Sequence, residues 1–155
     1  MNLPELKIGK LVAQVPIIQG GMAIRLSTAP LAAAVANEGG IGLIAASGMG
    51  LDELRKEIRM ARELTGGKGI IGINAMVAAR QFLDLITTAA EEGIDLIVAG
   101  AGFSRDIFAV GRRYGVEVVP IVSSARLAQT AEKLGASAVV VEGTEAGGHL
   151  GHAVR

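Results

Sequence analysis

Short runs of apolar, mostly β-branched residues recur along the chain at intervals of roughly 20 to 30 residues, and a helical pattern fills each gap. The runs are continuous rather than alternating, which is typical of strands covered on both faces of a parallel sheet. Six strands are predicted, at residues 15–19, 41–45, 70–74, 96–99, 117–122 and 138–142.

The five intervening segments carry helix start and stop signals. Leu54, Ile58, Ala61 and Leu64 recur at helical spacing, so they share one face of a helix that lies on the sheet. Ser27 or Thr28 is suited to cap the first helix, and Gly39-Gly40 to stop it. The predicted helices follow Thr28, start at Asp52-Glu53, span 78–92, run from Ser104 to Arg113, and span 126–134.

Alternation of strands and helices predicts an α/β fold with a parallel sheet, and two architectures satisfy it. One is a doubly wound open sheet, and the other is part of an eight-fold βα barrel. A closed barrel takes about 250 residues, whereas this chain has 155. Length therefore favours an open sheet or an incomplete barrel, and composition does not separate them.

Composition limits the classes of molecule that the protein is expected to bind. Fifteen basic residues balance fifteen acidic ones, so no long-range field attracts nucleic acid or an anionic membrane. Apolar runs end well before the ~20 residues that a membrane helix needs. Cysteine is absent, which excludes disulfides and thiolate metal sites. We expect a soluble, cytoplasmic protein that binds a small molecule.

In parallel βα folds, ligands bind where the carboxyl ends of the strands meet the following loops. Here those loops are small, glycine-rich and uncharged, which suits a flat, largely apolar ligand. Gly20-Gly21 and Asn74 could instead serve only to turn the chain out of a strand, since glycine and asparagine are common in turns. Gly100-Ala101-Gly102 lacks the third glycine of a dinucleotide-binding motif. The loops are 19–22, 46–48, 74–76, 100–102 and 123–124.

The last predicted strand opens into a glycine-rich turn that carries a titratable group. Glu142 ends the strand, Gly147 and Gly148 follow, and His149 comes next. A histidine in such a turn has the access and near-neutral titration that acid–base catalysis needs, although loop histidines are often merely solvated. Glu142 is suited either to accept a hydrogen bond from the ligand or to brace the loop amides.

Other chemistries find less support. His149, His152 and Glu142 are candidate metal ligands, but the neighbouring glycines fix no coordination geometry, so no metal site is predicted. His152 is more simply a polar group at the rim. Neither a nucleophile elbow nor a phosphate-binding lysine loop occurs in the sequence.

Several of these segments together resemble the nitronate monooxygenases, formerly called 2-nitropropane dioxygenases, and the related flavin-dependent enoyl-acyl carrier protein reductases. The resemblance extends over essentially the whole chain. It is carried by residues 16–22 (PIIQGGM), 39–42 (GGIG), 72–74 (GIN), 100–102 (GAG) and 142–149 (EGTEAGGH).

The resemblance implies a TIM-type barrel that holds FMN across the carboxyl ends of its strands, with this chain supplying about six of eight βα units. It further implies that Gly20, Gly21 and Met22 lie against the flavin ring and that Asn74 hydrogen-bonds it. The pocket would be shaped by Glu142, Gly147 and Gly148, and His149 would be the catalytic group.

The implied reaction is the oxidation of an alkyl nitronate by dioxygen to a carbonyl compound and nitrite. The alternative is an NADH-dependent enoyl thioester reductase, and residues 26–32 and 145–149 look more like the monooxygenase branch. A single FMN-binding domain, 1–155, truncated after its sixth strand is expected. Such a chain lacks the phosphate loops of strands seven and eight, so a third hypothesis is an inactive half-barrel. Its open edges would favour a homo-oligomer.

Overall fold

A computed structural model of the chain describes residues 3–147. It contains seven strands and five helices within that range. The strands are β1 (Leu6–Ile8), β2 (Leu11–Ala13), β3 (Ile41–Ala45), β4 (Ile70–Met76), β5 (Leu96–Gly100), β6 (Glu117–Val122) and β7 (Val140–Val141). The helices are α1 (Ala29–Asn37), α2 (Leu51–Leu64), α3 (Phe82–Glu91), α4 (Asp106–Tyr114) and α5 (Ala125–Leu134).

The main sheet is parallel and its strands follow chain order, β3-β4-β5-β6-β7. A doubly wound sheet reverses its strand order and carries helices on both faces. Here each of the five helices contributes buried apolar residues to one core layer, which also holds the outward side chains of the strands. The sheet is therefore a curled half-barrel with helices outside, which confirms the incomplete barrel and excludes the open sheet.

The inner face of the sheet is filled by an antiparallel hairpin that the sequence pattern did not reveal. Strands β1 and β2 pair around a two-residue turn, Gly9-Lys10, in which Gly9 has φ of +55°. Ile8 and Ala13 pack against inward residues of β3, β5 and β6. The hairpin thus seals the amino-terminal end of the half-barrel with apolar side chains.

Polar contacts fix this hairpin to the far side of the sheet. The Lys10 amide donates to Glu117 Oε1 at 3.0 Å, and Lys10 Nζ donates to the Gly115 carbonyl. Ser137 Oγ donates to the other oxygen of the Glu117 carboxylate. One carboxylate therefore connects the hairpin, the start of β6 and the segment before β7.

The predicted first strand, 15–19, is wrong as a full strand. It lies parallel to β3 but forms only one bridge, Ile18 to Ile41. Pro16 has no N–H to donate, and the backbone leaves the sheet at Gly20. Beyond this point the Gln19 side chain supplies the acceptor that a strand backbone would have supplied, because its Oε1 accepts from the Leu43 N–H at 3.1 Å.

Three helices differ from expectation. In α2 the predicted face buries Leu54, Ile58 and Ala61, but Leu64 at its last position is exposed. Helix α3 begins at Phe82 rather than near residue 78, because the preceding backbone is used in a loop in which Val77 N–H donates to the Gly100 carbonyl. In α5 the helical spacing of Leu127, Ala131 and Leu134 predicts one buried face, but only Ala131 is buried and the two leucines are half-buried. None of the helices between residues 3 and 147 is long and apolar enough to cross a bilayer.

Helix α1 packs unusually close to β3 because both surfaces are small. Its buried residues are all alanines, Ala29, Ala32, Ala33 and Ala36. A Cβ added to Gly42 on β3 would lie 1.9 Å from the Ala32 carbonyl oxygen. This backbone-to-backbone contact fixes α1, and with it the loop that precedes α1.

Gly42→Ala is expected to destabilise the protein. The clash is with backbone atoms, which no rotamer change relieves, so we expect a loss of about 1–3 kcal/mol in urea unfolding. The matched control is Gly20→Ala, because no atom lies within 4 Å of the added Cβ there. Equal stability of the two variants would show that α1 moves freely on the sheet.

Candidate functional site

The candidate site lies at the carboxyl edge of the inner face. Side chains alternate along a strand, so Ala45, Asn74 and Gly100 share the face that holds Leu43 and Val98. Ala45 and Asn74 are direct partners on adjacent strands, whereas Gly100 lies one step nearer the carboxyl edge, opposite Met76. Below them the face is apolar and packed, whereas above them the chain turns into the 19–22, 46–48 and 100–102 loops.

Gly21 packs directly on Asn74. A Cβ built on Gly21 would lie 2.1 Å from the Asn74 Cβ and 3.1 Å from its Oδ1. On the opposite side, a Cβ on Gly20 would have no neighbour within 4 Å. Residues 20–21 therefore form a thin backbone layer over Asn74 with open space above it, as a flat ligand would require.

Ser27 holds this layer in place. Its hydroxyl donates to the Gly20 carbonyl at 2.9 Å and accepts from the Met22 N–H at 2.9 Å. It also accepts from Gln19 Nε2 at 2.8 Å, which uses the full donor and acceptor capacity of a hydroxyl. Ser27 is completely buried. Ser27, which the sequence suggested as a helix cap, thus braces the 19–22 loop by hydrogen-bonding three of its residues.

The rest of the loop is tied to α2. The Arg25 guanidinium forms a bidentate pair with Glu53, at 2.9 and 3.1 Å. Hydrogen bonding by Arg25 lowers the pKa of the Glu53 carboxyl below its ordinary value of 4.5, so the pair stays charged at neutral pH. Glu53 also accepts from the Gly50 N–H. The loop after Met22 is therefore anchored at its base by Ser27 and at its tip by Glu53.

The neighbouring loops are also held from within. Ser47 Oγ accepts from the Met76 N–H at 2.8 Å, which links the end of β4 to the loop after β3. Ala101 adopts a left-handed φ of +53°, uncommon for a residue with a side chain. Constrained backbone of this kind concentrates at ligand sites, which agrees with the position of Ala101 at this edge.

The predicted site residues fall into three groups. Gly20, Gly21, Met22 and Asn74 lie together at the edge of β4. Glu142 lies at the end of β7, where its N–H donates to the Val122 carbonyl, and Gly147 follows in an exposed bend. Glu142 is thus three strands away from Asn74, or roughly 14 Å along the sheet. The third group, Gly148, His149 and His152, lies outside the described residues.

Metal chemistry gains no support at this edge. Within residues 3–147, no three side chains of histidine, cysteine, aspartate or glutamate gather closely enough to bind a metal ion. The groups that converge near Asn74 are instead backbone amides, a hydroxyl and a carboxamide. Such groups are suited to orient an organic ligand by hydrogen bonds.

Sequence reasoning missed the roles of the Gln19 side chain, Ser27 and Arg25. The Ser27 hydroxyl was available for capping, but Thr28 occupies the N-cap position and makes no side-chain capping bond. Glu53 was recognised as a charge at the start of α2, but its partner Arg25 is 28 residues earlier. The one local signal for this role is a second hydroxyl residue directly before the helix N-cap residue, because the burial of Ser27 appears only in the structure.

Comparison with known proteins identifies the family. The nitronate monooxygenase family model matches residues 5–100 and 79–155. This chain belongs to the nitronate monooxygenase family. The resemblance of its motifs to that family is therefore confirmed.

Among curated relatives, the chain is 31% identical to a nitronate monooxygenase of Paraburkholderia phytofirmans, over 96% of this chain and 49% of that protein. It is equally 31% identical to 5-hydroxy-7a-methyl-1-oxo-octahydro-1H-indene-4-carboxyl-CoA dehydrogenase of Mycobacterium tuberculosis, over 88% of this chain and 38% of that one. The chain thus spans half or less of the length of these relatives.

Solved structures agree on the fold. FabK from Thermotoga maritima superposes with a TM-score of 0.85 and 37% identity, covering 90% of this chain and 44% of that one. Nitroalkane oxidase from Streptomyces ansochromogenes superposes with a TM-score of 0.79 and 27% identity, covering 90% of this chain and 49% of that one. The half-barrel is therefore a partial TIM barrel of the kind found in these proteins.

Ser27→Ala is expected to loosen the 19–22 loop. The change removes the three hydrogen bonds of the buried hydroxyl, to the Gly20 carbonyl, the Met22 N–H and Gln19 Nε2, so we expect a loss of about 1–3 kcal/mol of stability and faster hydrogen exchange of the Met22 amide. Thr28→Ala is the control, because Thr28 makes no side-chain capping bond. The bracing role is wrong if Met22 exchanges equally fast in both variants.

Proposed function

We propose that the protein is an FMN-dependent oxidoreductase of the nitronate monooxygenase type. The observation that carries this proposal is the contact of Gly21 with Asn74, which leaves a thin backbone layer over a carboxamide at the carboxyl edge of the barrel. Family membership supports the same conclusion. The substrate would be an alkyl nitronate, oxidised by dioxygen to a carbonyl compound and nitrite.

The described residues fit a flavin ring. A planar ring needs one flat wall and hydrogen-bonding groups along its edge, and both are present at 20–21 and Asn74. The Met22 N–H is already bound to Ser27, so it is not free for a ligand. Neither Gly20 N–H nor Gly21 N–H has an acceptor within residues 3–147, so these two amides and the Asn74 carboxamide are the donors we assign to the ring.

When bound, the flavin would supply the redox chemistry, since the chain has no cysteine to form a redox-active disulfide. The residues of the chain then position the reactants. We assign Gly20, Gly21 and Met22 to the wall and Asn74 to the ring edge, and Glu142, Gly147 and Gly148 would shape the far side. His149 is assigned to orient or neutralise the nitro group of the nitronate, or to take the proton from the carbon where the neutral nitroalkane is also a substrate.

An enoyl thioester reductase that consumes NADH is the second candidate. Its support is the 37% identity with FabK, together with the CoA-substrate dehydrogenases among the relatives. The two functions differ in a simple assay. A nitronate with dioxygen should be consumed without NADH in the first, whereas crotonyl thioester should drive NADH oxidation in the second.

Asn74→Ala is expected to weaken FMN binding. Loss of one hydrogen bond to the ring corresponds to about 0.5–1.5 kcal/mol, or a roughly 2- to 12-fold higher Kd, measured by titrating the flavin absorbance. Asn37→Ala is the matched control, because Asn37 bonds the Leu64 carbonyl on the helical side. If the unsubstituted chain does not bind FMN at all, the inactive half-barrel is the correct hypothesis.

His149→Ala is expected to retain FMN and to lose most turnover. General acid–base groups typically contribute about 10²- to 10⁴-fold to the rate, and the flavin spectrum should be unchanged. The variant is made in the longest natural form of the protein that turns over nitronate. Turnover within twofold of the parent protein would remove His149 from the catalytic role.

A further inference from the structure

A short loop beside the candidate site displays three large apolar side chains to solvent. In the loop of residues 22–26, hereafter the apolar loop, the exposed fractions are 47% for Met22, 68% for Ile24 and 64% for Leu26. Isolated exposed apolar residues are ordinary, but three within five residues of one loop are a concentration of apolar surface. Concentrations of this kind are typical of binding surfaces.

The apolar loop is held in a fixed shape. Ser27 N–H donates to the Met22 carbonyl at 3.0 Å, and the Ser27 hydroxyl accepts from the Met22 N–H, which closes the base. Arg25 holds the tip through its bidentate pair with Glu53 and has a left-handed φ of +58°. The side chains are therefore presented by a pre-organised backbone, which lowers the entropy cost of binding.

The loop borders the site directly. Met22 follows the two glycines that cover Asn74, and Ile24 faces the next loop along the edge. A Cβ on Gly48 would lie 3.9 Å from Ile24 Cγ1. A substrate whose reacting carbon meets the ring held at the Gly20-Gly21 wall would thus have its distal part within reach of the apolar loop, on the side where Ile24 faces Gly48.

Charge defines what the loop can bind. Its one cation, Arg25, is neutralised by Glu53, so the loop offers no free positive charge to a phosphate or an anionic lipid. We propose that the apolar loop is the subsite for an uncharged hydrocarbon chain of the substrate. This inference rests on the proposed function and deepens it, because it assigns substrates with a medium-length alkyl or acyl chain rather than nitroethane-sized ones.

The test uses the full chain with [¹³C]methyl-labelled methionine. The chain has five methionines, and Met22→Leu assigns the Met22 signal. Nitroethane, 1-nitrobutane and 1-nitrohexane are titrated with and without FMN. We expect the Met22 signal to shift and the Kd to fall by roughly two- to fourfold per methylene.

The double variant Ile24→Ser/Leu26→Ser should reduce this chain-length dependence to less than about twofold over the whole series. Leu64→Ser is the matched control, because Leu64 is 51% exposed at the other end of α2, and it should behave as the unsubstituted protein does. Circular dichroism verifies that all variants are folded.

The outcomes separate the subsite from the function. Flavin-dependent turnover without chain-length dependence would overturn the subsite and leave the proposed function intact. Chain-length-dependent shifts without FMN binding would support the subsite and overturn the cofactor. A concentration-dependent dimer in sedimentation, abolished by the double variant, would overturn the subsite and make the apolar loop a contact between two copies.

Discussion

The site depends on how the outer edge of β3 is satisfied after the preceding chain leaves the sheet. Buried N–H groups must find acceptors, and three of them lie along β3. Ile41 donates to the Ile17 carbonyl, Leu43 to Gln19 Oε1, and Ala45 to the Ser27 carbonyl. The acceptors that one continuous neighbouring strand would supply are thus provided in turn by backbone before Gly20, by a side chain, and by backbone that returns at Ser27. The loop released by this exchange is the one that covers Asn74.

That exchange explains why the strand pattern and the site occupy the same residues. A full strand through residue 22 would have placed Gly20 and Gly21 in the ladder, where they could not lie across the inner face. Because Gln19 substitutes its amide for the backbone, the chain can turn inward at Gly20 without leaving Leu43 unsatisfied. Ser27 then consolidates the turn from behind, through bonds to both sides of it.

The repeating architecture could be predicted from sequence because its signals are local. Apolar runs located β3 to β6, and glycines after the helices located their ends. The gathering of the 19–22 and 74–76 loops at one edge also followed, since the carboxyl ends of parallel strands meet there, but the direct contact of Gly21 with Asn74 appears only in the structure. The hairpin escaped notice because its strands have three residues each, and its stability comes from Glu117, more than a hundred residues away. The Arg25–Glu53 pair was hidden for the same reason.

Carboxylates explain why this edge suits the uncharged part of a ligand. Glu57 of α2 accepts from the Ala29 N–H at 2.6 Å, so it occupies the amino terminus of α1. The other three helices up to α4 carry acidic residues in their own first turns, Asp52 and Glu53, Asp84 and Asp106.

Helix amino termini otherwise attract phosphate, and these carboxylates cancel that attraction at α1 to α4. The flat neutral ring proposed over residues 20–21 and the hydrocarbon chain proposed along residues 22–26 need no such attraction. The carboxylates of the described half-barrel therefore make the edge formed by β3 and β4 better suited to an uncharged group than to a phosphate.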